Sequence, residues 1–163
     1  MTTSTLETSS SISAEQLVMR RLMSSKDSKY NAHTMPQFSF IDYVITHSEK
    51  VVAFIEVKVR AEPEKLIMQY GGLMLKHRKY EELCQWARLT KTSTIIAFGF
   101  EDGKGSIYVT EPLTLGKKEP LSPPLRKINR NLDCDREEVI YLNWETDLRL
   151  ILPALEPKPA EGE

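Results

Sequence analysis

The chain has 163 residues, a net charge of −1, 28% charged residues and 40% hydrophobic residues. That suits one domain with a core of its own. It excludes a protein that binds nucleic acid by bulk charge, and leaves only local basic surfaces for that purpose. No run of eighteen apolar residues marks a membrane span, and the first dozen residues lack the basic start and apolar centre of a secretion signal, so the expected location is cytoplasmic. The two cysteines, Cys84 and Cys134, fall in unlike contexts with no zinc spacing and read as free thiols.

Residues 1–12 are rich in Ser and Thr and read as disordered. A single domain is expected over 13–152. Its first helix is predicted from Ser13, where Ser13 with Gln16 forms a capping box and Ile12 with Leu17 a hydrophobic staple, to about Met23. Residues 24–37 read as a polar loop containing Lys26, Lys29, His33 and Pro36. Two strands follow, Phe38–Thr46 and Val51–Arg60, joined by a short polar turn. A second helix is predicted from Glu64 to about Leu89, interrupted near Gly71 and Gly72, with an inner stripe of Leu73, Tyr80, Leu83, Cys84 and Ala87. Thr94–Phe100 and Ser106–Thr110 make a second hairpin around Glu101-Asp102-Gly103-Lys104-Gly105. Residues 112–138 hold four prolines and Lys117, Lys118, Arg126, Lys127 and Arg130, and read as a basic arm. Val139–Trp144 is expected as an edge strand, and 153–163 as a disordered tail. The order of elements gives an α/β fold, a small mixed β-sheet flanked by helices.

The two early strands carry three residues that an apolar sheet disfavours: Asp42, Glu56 and Lys58. Alternation puts Val52, Phe54, Glu56 and Lys58 on one face, and Val51, Ala53, Ile55 and Val57 on the other. An acid and an amine in such a strand must pair, bind something or face water. With Asp42 fourteen positions upstream across a hairpin, the pattern fits a divalent-metal site beside a lysine. Magnesium and manganese take oxygen ligands, often one or two carboxylates plus waters and a phosphate. Asp42 and Glu56 supply the carboxylates, the Val57 carbonyl a third oxygen, and Lys58 the ammonium that orients water and steadies charge on phosphate. The plainer alternative is a solvated strand face with Glu56 and Lys58 turned outward.

Ile41-Asp42 followed by Glu56-Val57-Lys58 resembles the PD-(D/E)XK nuclease superfamily, whose core runs helix–strand–strand–strand–helix–strand. The resemblance spans about residues 13–110. Isoleucine stands before Asp42 where the family name has proline. The resemblance implies a restriction-endonuclease-like core, Asp42 and Glu56 as ligands of Mg²⁺ or Mn²⁺, and Lys58 as the catalytic lysine. It also implies Glu15, in the first helix, as a further metal ligand; the other reading of Glu15 is an acid that complements a helix dipole. Glu56-Val57-Lys58-Val59-Arg60, Lys76, Lys79-Tyr80 and Asp102-Gly103 look most like small phage-type nucleases, which would place the chain in a host cytoplasm.

Arg60 is expected to grip phosphate as a bidentate donor, and Lys76 and Lys79 to bind DNA from the second helix, with Gln69, Tyr70 and Tyr80 nearby. Their alternatives are surface pairing for Arg60, core packing for Tyr80 and a solvated face for the lysines. The resulting expectation is a metal-dependent endonuclease that hydrolyses DNA phosphodiester bonds in phage recombination, repair or processing. DNA is its partner, together with a second copy of the chain where both strands are cut. The competing expectation is a catalytically inactive nuclease-like module for DNA binding or protein interaction.

Overall fold

A computed structural model describes residues 9–36, 39–69, 72–116, 118–121 and 138–155, with backbone alone for 9–13. The order of elements is α1 (Ser9–Ser24), β1 (Tyr30–Thr34), β2 (Tyr43–His47), β3 (Lys50–Val59), α2 (Glu64–Met68), β4 (Leu73–Lys76), α3 (His77–Thr90), β5 (Ser93–Gly99), β6 (Ile107–Thr110), β7 (Val139–Leu142) and β8 (Arg149–Leu152). Six strands form one mixed sheet in the order β1-β2-β3-β5-β6-β8. Only β3 and β5 run parallel; the other neighbours are antiparallel. No helix among the described residues is long and apolar enough to cross a membrane.

The alternation read from β3 decides which layer covers which face. Ala53, Ile55 and Val57 join Tyr43, Ile45, Ala97 and Ile107 beneath Val18, Met19 and Leu22 of α1. Phe54 turns the other way, into a cluster with Leu83 of α3, Ile96, Phe98, Leu73, Leu75, Ile140 and Leu142. The sheet thus lies between α1 and a second layer built of α3 and a two-stranded ribbon, β4 with β7. The parallel step from β3 to β5 requires a crossover, and α2, β4 and α3 all lie within it.

Several expectations change. The first helix begins at Ser9 instead of Ser13, so the capping-box position lies inside it; extending a formed helix through residues 9–12 costs little once a nucleus exists. Residues 30–34, expected as part of a loop, form β1 and pair with β2. This supplies the third strand ahead of the crossover helix that the family resemblance requires. The strand expected from Phe38 starts at Tyr43, which leaves Asp42 just outside it. Leu73 belongs to a strand and not to a helical stripe: Leu73 and Leu75 are buried while Met74 and Lys76 are exposed, a period of two. Val139–Leu142 pairs with β4 and not with the main sheet, whose edge is β8. Lys118 pairs with Asp147. Lys117, Arg126, Lys127, Arg130, Cys134, Tyr70 and most of both tails lie outside the described residues.

One buried arginine ties the two ends of the domain together. Arg21 of α1 donates to the carbonyls of Gly103 and Gly105, both at 2.6 Å, and to that of Pro153 at 2.7 Å. The turn it holds is tight: Glu101, Asp102 and Gly103 all have positive φ, and a Cβ at Gly103 would meet the Ala14 carbonyl oxygen at 2.8 Å. The same turn donates from the Asp102 amide to the Arg60 carbonyl at the end of the motif strand. Arg21→Met keeps the apolar stem but leaves these carbonyls without their donor. It is expected to cost about 3 kcal/mol in urea denaturation; a loss below about 0.5 kcal/mol would show that water takes over.

Candidate active site

The register of the first hairpin sets the acids. Tyr43 lies opposite Ile55, so continuing the ladder by one residue sets Asp42 opposite Glu56. Both then share the face of Val44 and Phe54, toward α3. The Asp42 carboxylate does more than face Glu56: its Oδ2 accepts the Val57 amide at 2.7 Å. It thereby takes the place of a strand partner where β2 has not yet begun. In a strand the amide and carbonyl of one residue point to the same neighbour, so the Val57 carbonyl is also directed to this side. Asp42 is itself held through its backbone, by the Met35 amide on its carbonyl and by its own amide on Ile55.

Glu56 is the unusual group. It is 3% exposed, and its two oxygens have different surroundings. Oε1 receives the Lys58 ammonium at 2.6 Å and the Lys79 ammonium at 3.0 Å. Oε2 is buried and has no partner among the described residues. Burial pushes the Glu56 carboxyl above its ordinary pKa; Lys58, by charge and hydrogen bond, pulls it back, Asp42 raises it further, and Lys79 lowers it. The net direction is up, so desolvation outweighs the two lysines.

These residues fit a hard divalent cation. An unpartnered buried carboxylate oxygen, a second carboxylate across the ladder and a nearby carbonyl are the oxygen donors such an ion takes. No cluster of three or more His, Cys, Asp or Glu side chains converges among the described residues, so waters and a substrate phosphate would complete the shell. Glu15 is not brought into such a cluster. It stands near enough to Tyr43 for its charge, with that of Asp42 and after burial, to raise the phenol's pKa.

The other expected residues scatter. Arg60 follows β3, half-buried, with its amide on the Gly99 carbonyl. Lys76 ends β4 and is exposed; it is not on the helix surface beside Tyr80 as expected, because α3 starts at His77. Gln69 is exposed after α2. Exposed His33 bonds through its ring Nε2 with the Thr46 hydroxyl and has no link to the acids. Tyr80 is half-buried against the core. Lys79 is the correction that matters: expected to reach for DNA, it turns inward to Glu56 and donates to the Phe40 carbonyl. The charge pattern accounts for this only once the helix start at His77 is known. Lys76, His77, Arg78 and Lys79 open a helix whose first turn carries no acid, against the preference of the helix dipole, and such a start calls for an anion in front of it.

With this geometry in view, the comparison with known families is informative. Residues 1–119 match the family described as "phage putative PDDEXK endonuclease". The chain belongs to that family. Its mixed sheet with α1 on one face and the crossover helix on the other is the restriction-endonuclease-like core that members of the PDDEXK class share. No curated protein matches the chain. Among solved structures it is similar to Hjc, a Holliday junction resolvase from the archaeal hyperthermophile Archaeoglobus fulgidus. The likeness covers 80% of this chain and 84% of that one at 16% identity, with a TM-score of 0.47.

The raised pKa of Glu56 ties the stability of the metal-free fold to pH. The folded chain keeps the Glu56 proton to higher pH than the unfolded chain. Stability from this group is therefore full below the ordinary carboxylate pKa and is lost as pH rises through the raised one. Glu56→Gln removes that loss. In chelator at pH 7 the variant is expected to be more stable than wild type by on the order of 1 kcal/mol, with the gap closing in acid. Thermal unfolding across pH measures this, and a less stable variant at pH 7 would show that the lysine pairs outweigh burial.

Proposed function

We propose that the chain is a metal-dependent deoxyribonuclease that hydrolyses phosphodiester bonds at the Asp42–Glu56 pair. The observation that carries this reading is the buried, unpartnered Oε2 of Glu56 on the face it shares with Asp42. A carboxylate kept dry at such cost has a use for its free oxygen. Family membership supports the same class of chemistry.

Asp42, Glu56 and the Val57 carbonyl would hold Mg²⁺ or Mn²⁺, which when bound supplies a Lewis acid and lowers the pKa of its water. Glu15 of α1 is the candidate for a further ligand, as the family resemblance implies. Lys58, 37% exposed at its side chain, is the ammonium on the open side of the site. There it donates to a non-bridging oxygen of the phosphate and orients the attacking water. The attacking water gives up a proton to solvent as its oxygen bonds to phosphorus, in line with the P–O bond that breaks, and the departing oxygen takes up a proton from solvent. Arg60 and Lys76 bind flanking phosphates by charge, a contribution that weakens with salt. Cutting both strands of a duplex takes two such sites, so two copies act together. A phage product of this kind works in the host cytoplasm on DNA under recombination, repair or processing.

A second reading is an inactive nuclease-like module that binds DNA or protein. Two lysines sitting on Glu56 Oε1 in the absence of a three-acid cluster among the described residues favour it. The two readings separate on cleavage of single-stranded, duplex, flap and four-way-junction DNA with Mg²⁺ or Mn²⁺. Lys58→Ala and Asp42→Asn are each expected to lower cleavage on the order of a hundredfold or more while remaining folded. Cleavage that survives Asp42→Asn removes Asp42 from the site. A wild type that neither cuts nor is stabilised by Mn²⁺ favours the inactive module.

A further inference from the structure

The two lysines on Glu56 are not equivalent. Lys58 comes from the same strand, two residues on, and its side chain is 37% exposed. Lys79 comes from the first turn of α3, twenty-three positions away, and its side chain is 18% exposed. Its ammonium also takes the Phe40 carbonyl as an acceptor and lies 5.7 Å from the Phe40 ring centroid. Phe40 is wedged in turn: its ring meets Trp86 of α3 edge-on at 5.2 Å, and Trp86 meets Phe54 of β3 at 5.3 Å. Residues 39–41 precede the ladder of β2, so strand pairing does not fix them, and Asp42 joins β3 through one backbone bond to Ile55.

Resting on the metal reading above, we infer that Lys79 is a positioning residue that straps β3 to the lead-in of β2. It joins Glu56 Oε1 to the Phe40 carbonyl, two residues before Asp42. The strap does two things. It fixes the backbone that aims Asp42 at the Val57 amide and at Glu56. It also occupies Oε1, which leaves Oε2 as the Glu56 oxygen without a partner among the described residues. Lys79 then stays in place when a cation arrives, because the oxygen it holds is not the one left open. Lys58, nearer solvent and paired among the described residues with Glu56 alone, is the lysine free to leave Oε1 and meet a phosphate. One lysine serves the geometry of the acids and the other the reacting group, although both touch the same oxygen.

A metal-free and a metal-bound measurement test this together. Lys79→Met retains the length and apolar stem of the side chain, Lys79→Arg retains the charge and the donors, and Lys58→Met serves as the contrast. Without divalent ions, amide exchange at Val57 reports the hydrogen bond to Asp42. Exchange is expected to quicken in Lys79→Met and to stay near wild type in Lys79→Arg and Lys58→Met. In calorimetric titration with Mn²⁺ and no DNA, Lys79→Met is expected to bind on the order of tenfold more weakly, as when a ligand's supporting partner is lost. Lys58→Met is expected to remain within about twofold of wild type. Cleavage by Lys79→Met should recover as Mn²⁺ is raised, while that of Lys58→Met should not.

Unchanged Val57 exchange in Lys79→Met overturns the strap, as does Mn²⁺ binding as tight as wild type or tighter, which would mean that repulsion between cations dominates. Loss of cleavage at saturating Mn²⁺ with wild-type affinity also overturns it, and moves Lys79 into the chemistry. A wild type that binds no Mn²⁺ brings down the metal reading alone, and Val57 exchange still decides whether Lys79 holds the two strands.

Discussion

A carboxylate buried in a β-sheet is the constraint around which this protein is arranged. Glu56 sits within β3 beside Phe54, Ile55 and Val57, and it is nearly inaccessible to solvent. An isolated charge there would be untenable. Two ammonium groups within 3.0 Å of one oxygen make it tolerable without making it comfortable, since burial still raises its pKa. The oxygen left without a partner among the described residues is what remains of that imbalance.

The fold explains how such an imbalance persists. The strand that bears Glu56 is the sheet's parallel partner to β5, so it is covered on one face by α1 and on the other by the crossover. The crossover returns a cationic helix start to the acid face, and a three-ring contact of Phe40, Trp86 and Phe54 holds that helix against the hairpin. On the opposite face Arg21 anchors α1 to the turn after β5, whose Asp102 amide meets the Arg60 carbonyl just beyond the motif. The site is therefore braced from both layers. This is what a family of nucleases needs from a scaffold: acids fixed before substrate arrives, with the reorganisation cost met during folding.

The same arrangement shows why some residues were legible beforehand and others were not. Asp42, Glu56 and Lys58 stood out because ionic groups interrupt a β-branched, aromatic run, and a hairpin turn at Ser48 and Glu49 joins their strands; the register that sets Asp42 opposite Glu56 also needs the one-residue shift between Ile45 and Thr46. Both hairpins were visible from their runs and turns. The strands β1, β4 and β8 were not. Tyr30–Thr34 is a polar edge strand with little apolar alternation, and Arg149–Leu152 is another edge, paired with a strand some forty positions away. Leu73–Lys76 has a clear period of two, but four residues flanked by helical sequence are too few to outweigh the helical pattern around them. Its partner, β7, lies more than sixty positions onward.

The sequence by itself determined the chemistry-bearing strand: which face each side chain takes, and that an acid, a second acid and an amine gather at one end of a hairpin. Alternation acts over a few residues, so local order suffices to single these groups out; the bulge between Ile45 and Thr46 that sets Asp42 opposite Glu56 appears only in the structure. Only the tertiary structure decided that Lys79 turns inward and that one Glu56 oxygen is claimed while the other has no partner among the described residues. Those outcomes depend on where the crossover sets α3 relative to β3. That placement is fixed by the packing of Leu83, Phe54 and Trp86 across long separations in the chain, and no local pattern encodes it.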